Sequence, residues 1–173
     1  MDRQSEIALI RRLIDMIGRR ETMTAKDLAT NPVSVYTSPE RLALERETLF
    51  RRMPILVGWS CEAPAPGDWF THDHTGVPIL VVRNDAGRLN AFVNVCRHRG
   101  APVAEGSGTG RSRFVCPYHA WTYDRDGALV GVPSEQYFEG LDRSQCGLTP
   151  LPIEERDGLV WVVPTPGESI DMA

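Results

Sequence analysis

Cys96-Arg97-His98 and, after 17 intervening residues, Cys116-Pro117-Tyr118-His119 lie in one stretch, NVCRHRGAPVAEGSGTGRSRFVCPYHAWTYD, from Asn94 to Asp124. Each pair offers one soft thiolate and one imidazole. The arrangement suits a two-metal centre in which the sulfurs take one metal and the ring nitrogens the other. A structural zinc site accepts the same donors, but it usually gathers them as a Cys-x-x-Cys pair followed by a second pair. Zinc remains the alternative here. Ala91-Phe92-Val93-Asn94-Val95 and Arg113-Phe114-Val115 precede the two pairs and read as strands. Both pairs therefore sit at loop tips, where Gly100 and Pro102, and Pro117 in the second loop, permit or restrict a tight backbone.

Two thiolates on one iron and two imidazoles on the other is the ligation of a Rieske [2Fe–2S] cluster. The whole segment resembles the Rieske domain of the large (alpha) subunit of aromatic-ring-hydroxylating, non-haem iron oxygenases. The flanks extend the resemblance: Tyr36, Glu45-Arg46-Glu47 with Phe50, Gly58-Trp59 and Pro66-Gly67-Asp68 before it, then Gly127-Ala128-Leu129, Val132-Pro133 and Gly158 to Val162 after it. It implies a mainly β fold, a Rieske-type antiparallel sandwich with two cluster-binding loops, preceded by N-terminal helices. Cys96, His98, Cys116 and His119 are the implied cluster ligands, with Arg99, Gly100, Pro117, Tyr118 and Trp121 around them.

Respiratory Rieske proteins brace the cluster with a disulfide between the loops. Here the matching neighbourhood offers Ala101 and Tyr118 instead, so no such brace is expected and the resemblance is to the oxygenase and ferredoxin branch. A potential near the low end of the Rieske range, about −150 mV, is expected. The resemblance also implies a mononuclear Fe(II) in a larger carboxy-terminal catalytic domain. It implies a ferredoxin or flavin reductase as electron donor, a homotrimer and a small beta subunit. Such an iron needs two histidines and a carboxylate. Only His72 and His74 remain, both before the cluster pairs, so the oxygenation site is expected outside this sequence and no catalytic residue is assigned. A shortened chain or a split gene would account for that. A free-standing Rieske electron carrier is the other function class.

The organisation follows from local patterns. Residues 1–54 form a helical lead-in expected to pack on the domain, 55–166 the Rieske domain, and 167–173 a tail toward the catalytic domain. Ile7, Ile10, Ile14 and Ile17 repeat at helical spacing, and Gly18 is placed to end that helix. Ser38, Pro39 and Glu40 form a start signal for a second helix, running to about Met53-Pro54. From Ile55 onward short strands alternate with turns at Asn84-Asp85-Ala86-Gly87 and Asp124-Arg125-Asp126-Gly127, and Glu135 to Gln145 reads as a surface loop or short helix.

A chain of 173 residues can bury a substantial core. A net charge of −4 argues against a nucleic-acid partner. There is no apolar run of membrane-spanning length and no secretory signal, so a cytoplasmic protein is expected, with Cys61 and Cys146 as unpaired thiols. Lys26 is the only lysine and a weak candidate for amine chemistry. His72 and His74 alternate, which on a strand puts them on one face, either as a metal pair or as an exposed polar face. Arg97, Arg111 and Arg113 rim the ligand segment, a solvated basic edge that also suits docking of an acidic electron donor.

Overall fold

The computed structural model describes residues 2–22 and 28–172; Lys26 and Ala173 lie outside them. The chain divides into two compact units, residues 1–38 and 39–173. In the first, helix α1 (Arg3–Arg19) starts at Asp2, whose carboxylate accepts from the amides of Gln4 and Ser5, both at 2.9 Å. The helix runs through Gly18 and closes instead at Arg20, which adopts φ 55° while its N–H bonds to Ile17 O. A glycine is tolerated inside a helix where flanking turns hold it, and an αL residue is the ordinary terminator. A one-turn helix, α2 (Ser34–Thr37), follows.

The second unit opens with α3 (Pro39–Arg52), whose last turn is tied to the chain's far end by Thr165 Oγ1 donating to Arg51 O at 2.8 Å. Eleven strands follow: β1 (Ile55–Trp59), β2 (Trp69–His72), β3 (Ile79–Arg83), β4 (Leu89–Val93), β5 (Ser107–Gly108), β6 (Phe114–Val115), β7 (Thr122–Tyr123), β8 (Leu129–Gly131), β9 (Pro150–Leu151), β10 (Ile153–Arg156) and β11 (Leu159–Val162). All pairs are antiparallel. They build three sheets, ordered β1-β11-β10, β5-β2-β3-β4-β9 and β6-β7-β8. The fold is thus mainly β, with helices at the amino end.

The five-stranded sheet is the middle layer. Along β3, Leu80 and Val82 join a core with Phe114, Tyr123 and Leu129 from the β6-β7-β8 side, whereas Ile79 and Val81 join Val57, Val160 and Val162 from the β1-β11-β10 side. Every residue of β3 is buried, which accounts for the apolar run from Ile79 to Val82: a strand covered on both faces loses its polar alternation.

Two turns legible in the sequence hold the layers together. Asn84 Oδ1 accepts from the amides of Ala86 and Arg88, and Asp124 Oδ1 from those of Asp126 and Ala128. The turns then bond to each other: Asp126 Oδ1 accepts from both Asn84 Nδ2 and Asn90 Nδ2 at 2.9 Å. Gly127 faces Phe92, where a Cβ would come within 2.4 Å of the ring, so this turn needs glycine for space as well as for its φ of +80°. The ligand-bearing hairpins are in this way anchored to the central sheet.

Candidate metal centre

Both ligand loops close by the same pair of backbone bonds. Cys96 N–H donates to Ala101 O and Cys96 O accepts from Gly100 N–H; Cys116 N–H donates to Trp121 O and Cys116 O accepts from Ala120 N–H. The residue that turns each loop back, Gly100 at φ 78° and Ala120 at φ 56°, is left-handed. One fold of chain is thus used twice, and it brings two buried, unpaired thiols, Cys96 and Cys116, and two imidazoles to one end of the sandwich.

The rings of His98 and His119 lie 4.7 Å apart at 68°. His98 Nδ1 is buried with no hydrogen-bond partner, a costly state for a polar atom unless it ligates. Burial, and the neighbouring His119 and Arg99, hold the His98 pKa below the ordinary imidazole value, which keeps its nitrogen free to bind metal. A single zinc ion would draw all four donors to one point. A two-iron cluster asks less of each point, since each iron takes only two protein donors.

The remaining expected residues fall into three groups. Trp121 is buried and stacks on His98, 4.9 Å away and 7° from parallel. Tyr118 is exposed, its ring 3.8 Å from that of His119, while Pro117 lies exposed between the loop's two ligands. Arg97, Arg99 and Arg113 are exposed, and Arg111 lays its guanidinium over Trp69 at 4.4 Å and over Phe114 at 5.5 Å. His72 and His74 do not share a strand face, because β2 ends at His72 and a turn begins, with Gly76 N–H bonded to Asp73 O. Their rings still meet, 5.1 Å apart. His72 is half-buried rather than part of an open polar face, and burial, with His74, lowers its pKa.

Three contributors were not singled out from the sequence. Tyr123 places its hydroxyl 3.3 Å from Cys96 Sγ and accepts from Arg97 N–H at 3.0 Å. Alternation from Trp121 through Thr122 was the available signal, since it puts Trp121 and Tyr123 on one buried face. Asn94 is buried two residues before Cys96 and grips the returning limb of the first loop at Val103 and Ala104. Phe138 meets His98 from a segment 40 residues later, with no local signal.

Residues 53–145 match the Rieske [2Fe–2S] domain family, and the chain belongs to it. The family's cofactor is the [2Fe–2S] cluster. The relatives are subunits of oxygenases, both monooxygenases and dioxygenases. The glycine betaine monooxygenase oxygenase subunit of Chromohalobacter salexigens is 37% identical over 131 residues, 76% of this chain and 29% of its own. The biphenyl 2,3-dioxygenase subunit alpha of Rhodococcus jostii is 36% identical over 128 residues, 73% of this chain and 28% of its own. A crystal structure of the quaternary ammonium Rieske monooxygenase CntA with its substrate L-carnitine superposes with a TM-score of 0.75 at 34% identity, covering 80% of this chain and 39% of that one. The chain therefore spans about a third of the length of such relatives. Among the described residues no helix is long and apolar enough to cross a membrane.

Proposed function

We propose that this chain is the electron-delivering part of an oxygenase large subunit, with Cys96 and Cys116 holding one iron of the cluster and His98 and His119 the other. A bound [2Fe–2S] cluster supplies one-electron uptake and release, so the chain's task is to take electrons from a ferredoxin or flavin reductase and hand them to a mononuclear Fe(II) in the catalytic part that longer relatives carry. The observation that carries this reading is His98 Nδ1, buried without a partner beside His119 at the end of two matched loops.

The protein's own residues divide the work. Cys96 and Cys116 are buried, which keeps water from the sulfur side, while His119 is exposed and faces outward. Arg97, Arg111 and Arg113 offer a positive rim for an acidic donor. A cytoplasmic location, a homotrimer and a small beta subunit complete the proposal. The substrate would be an aromatic ring, as for the biphenyl dioxygenase relative. The betaine monooxygenase relative favours a quaternary ammonium compound as a second reading, and oxygenation assays with the catalytic part attached decide between them.

The ligand assignment is tested on the full chain, reconstituted anaerobically with iron and sulfide. The parent should show a Rieske electron paramagnetic resonance signal. His119→Cys should hold iron but lose that signal and fall in potential. An unchanged signal in His119→Cys overturns the assignment. Reversing the charge of Arg111 and Arg113 should slow reduction by the donor at low salt; an unaltered rate removes the docking rim.

A further inference from the structure

We propose that Phe138 is a positioning residue for His98, held over the imidazole by the Glu135–Arg143 ion pair, and that it sets the reduction potential of the site by excluding water from that flank. The inference rests on the reading of His98 as a cluster ligand.

His98 sits in a box of rings. Trp121 stacks on its face, and Phe138 presents itself edge-on to both, 5.7 Å from His98 at 82° and 5.8 Å from Trp121 at 75°. The imidazole cannot turn without breaking one of these contacts, so its nitrogens are aimed before any metal arrives. Phe138 comes from the excursion between β8 and β9, which carries no strand and only two short 3-10 turns, Glu135–Tyr137 and Arg143–Gln145.

Such a segment needs a fastening. Arg143 supplies it, with Nε donating to Glu135 Oε1 at 2.8 Å, Nη2 pairing with the other carboxylate oxygen, and Nη1 reaching Val130 O on β8 at 3.2 Å. The two-point pair spans the two 3-10 turns and ties the excursion to the ligand-bearing sheet. Inside it, Leu141 N–H bonds to Phe138 O at 3.1 Å, and Phe138, Leu141 and Cys146 pack on the core that contains Cys96 and Cys116. The excursion therefore covers the His98 flank of the site with carbon, while His119 stays exposed.

The electrostatic consequence has a sign. With two thiolates and two neutral imidazoles, reduction adds a negative charge, and an apolar, dry flank disfavours that charge and lowers the potential. Admitting water should raise it.

The test compares Phe138→Ala, Phe138→Leu and Glu135→Gln with the parent, in the reconstituted full chain and in the metal-free chain. Phe138→Ala should retain iron and sulfide but show a higher midpoint potential and altered g-values. Phe138→Leu, which restores apolar cover, should return both toward the parent, and Glu135→Gln should move them in the direction of the alanine variant by less. In the metal-free chain the His98 ring resonances should shift in Phe138→Ala through loss of the neighbouring ring current. Parent-like potential and g-values in Phe138→Ala overturn the proposal. Should that variant fail to hold iron, parent-like values in Glu135→Gln overturn it equally. A parent that never develops a Rieske signal defeats the ligand assignment instead, and the metal-free His98 resonances still report whether Phe138 covers the ring.

Discussion

The phenol of Tyr123 bridges the first ligand loop, its oxygen 3.3 Å from Cys96 Sγ and receiving Arg97 N–H at 3.0 Å. A metal-bound thiolate carries no proton, so the phenol must donate to sulfur while accepting from the amide. Burial, and then the contact with Cys96, push the Tyr123 pKa well above the ordinary phenol value, so the donor keeps its proton at any working pH. A hydrogen bond to sulfur favours the more negative, reduced state. Tyr123→Phe should keep the cluster and lower its midpoint potential by about 40 mV, the equivalent of roughly 1 kcal/mol of differential hydrogen bonding. A redox titration of the two proteins side by side is the check, and equal midpoints would mean the phenol only fills space.

The matched loops allow a paired test of backbone strain. Gly100 has φ +78° and nothing within 4 Å of where a Cβ would stand, so Gly100→Ala adds only the left-handed penalty, about 1 kcal/mol of destabilisation. Ala120 already bears that penalty at φ 56°. Ala120→Gly should relieve it, offset in part by the greater freedom of glycine in the unfolded chain, leaving a gain of up to about 1 kcal/mol. Urea denaturation of the metal-free proteins measures both. Shifts of the same sign would show that the loops do not share their closure.

Ligand residues and the turns at Asn84 and Asp124 were legible because their chemistry is local: a donor pair or an Asx turn declares itself within four residues. The apolar runs of β1, β3 and β4 were legible for the same reason. What escaped is what tertiary structure decides. Pro150-Leu151 and Ile153 to Arg156 carry proline and charge, and they become strands because β4 and β11 offer free edges to pair with. Trp69 and Phe70 are both buried, one on each face of the middle sheet, a placement that only the stacking of the three sheets decides. Phe138 reaches His98 only through the folding of an excursion with no periodic pattern.

Asn94 shows how a buried amide can define a metal loop. Its Oδ1 accepts from Val103 N–H at 3.0 Å and Ala104 N–H at 3.2 Å, and its Nδ2 donates to Ala104 O at 2.7 Å. Asn94→Ala strands these backbone groups inside the protein, a cost of about 3 kcal/mol. The first loop should then lose its fixed return, and iron should leave faster when the reconstituted variant is dialysed against a chelator. A variant with parental stability and iron retention would show that the flanking strands suffice to hold the loop.

Acid stability should depend on Glu155, whose carboxylate takes both amino groups of Arg83, at 2.9 and 3.0 Å. Arg83 is buried and also donates to the carbonyls of Ala63 and Gly87, so it links β3 to β10 across the interface between two sheets. The bond from Arg83 holds the Glu155 pKa below the ordinary glutamate value. A carboxyl depressed in the folded state contributes stability at pH values above its unfolded pKa, about 4.3, and loses it as pH falls through the lower folded value. At pH 7 Glu155→Gln should be less stable than the parent by about 2 kcal/mol, because a buried guanidinium loses its counter-charge. Below pH about 4.3 the gap should narrow as the parent's own carboxylate takes up a proton. Denaturant midpoints for both proteins between neutral and acidic pH give the comparison. A gap that stays constant across that range would mean Glu155 serves Arg83 as a hydrogen-bond acceptor and not as a charge.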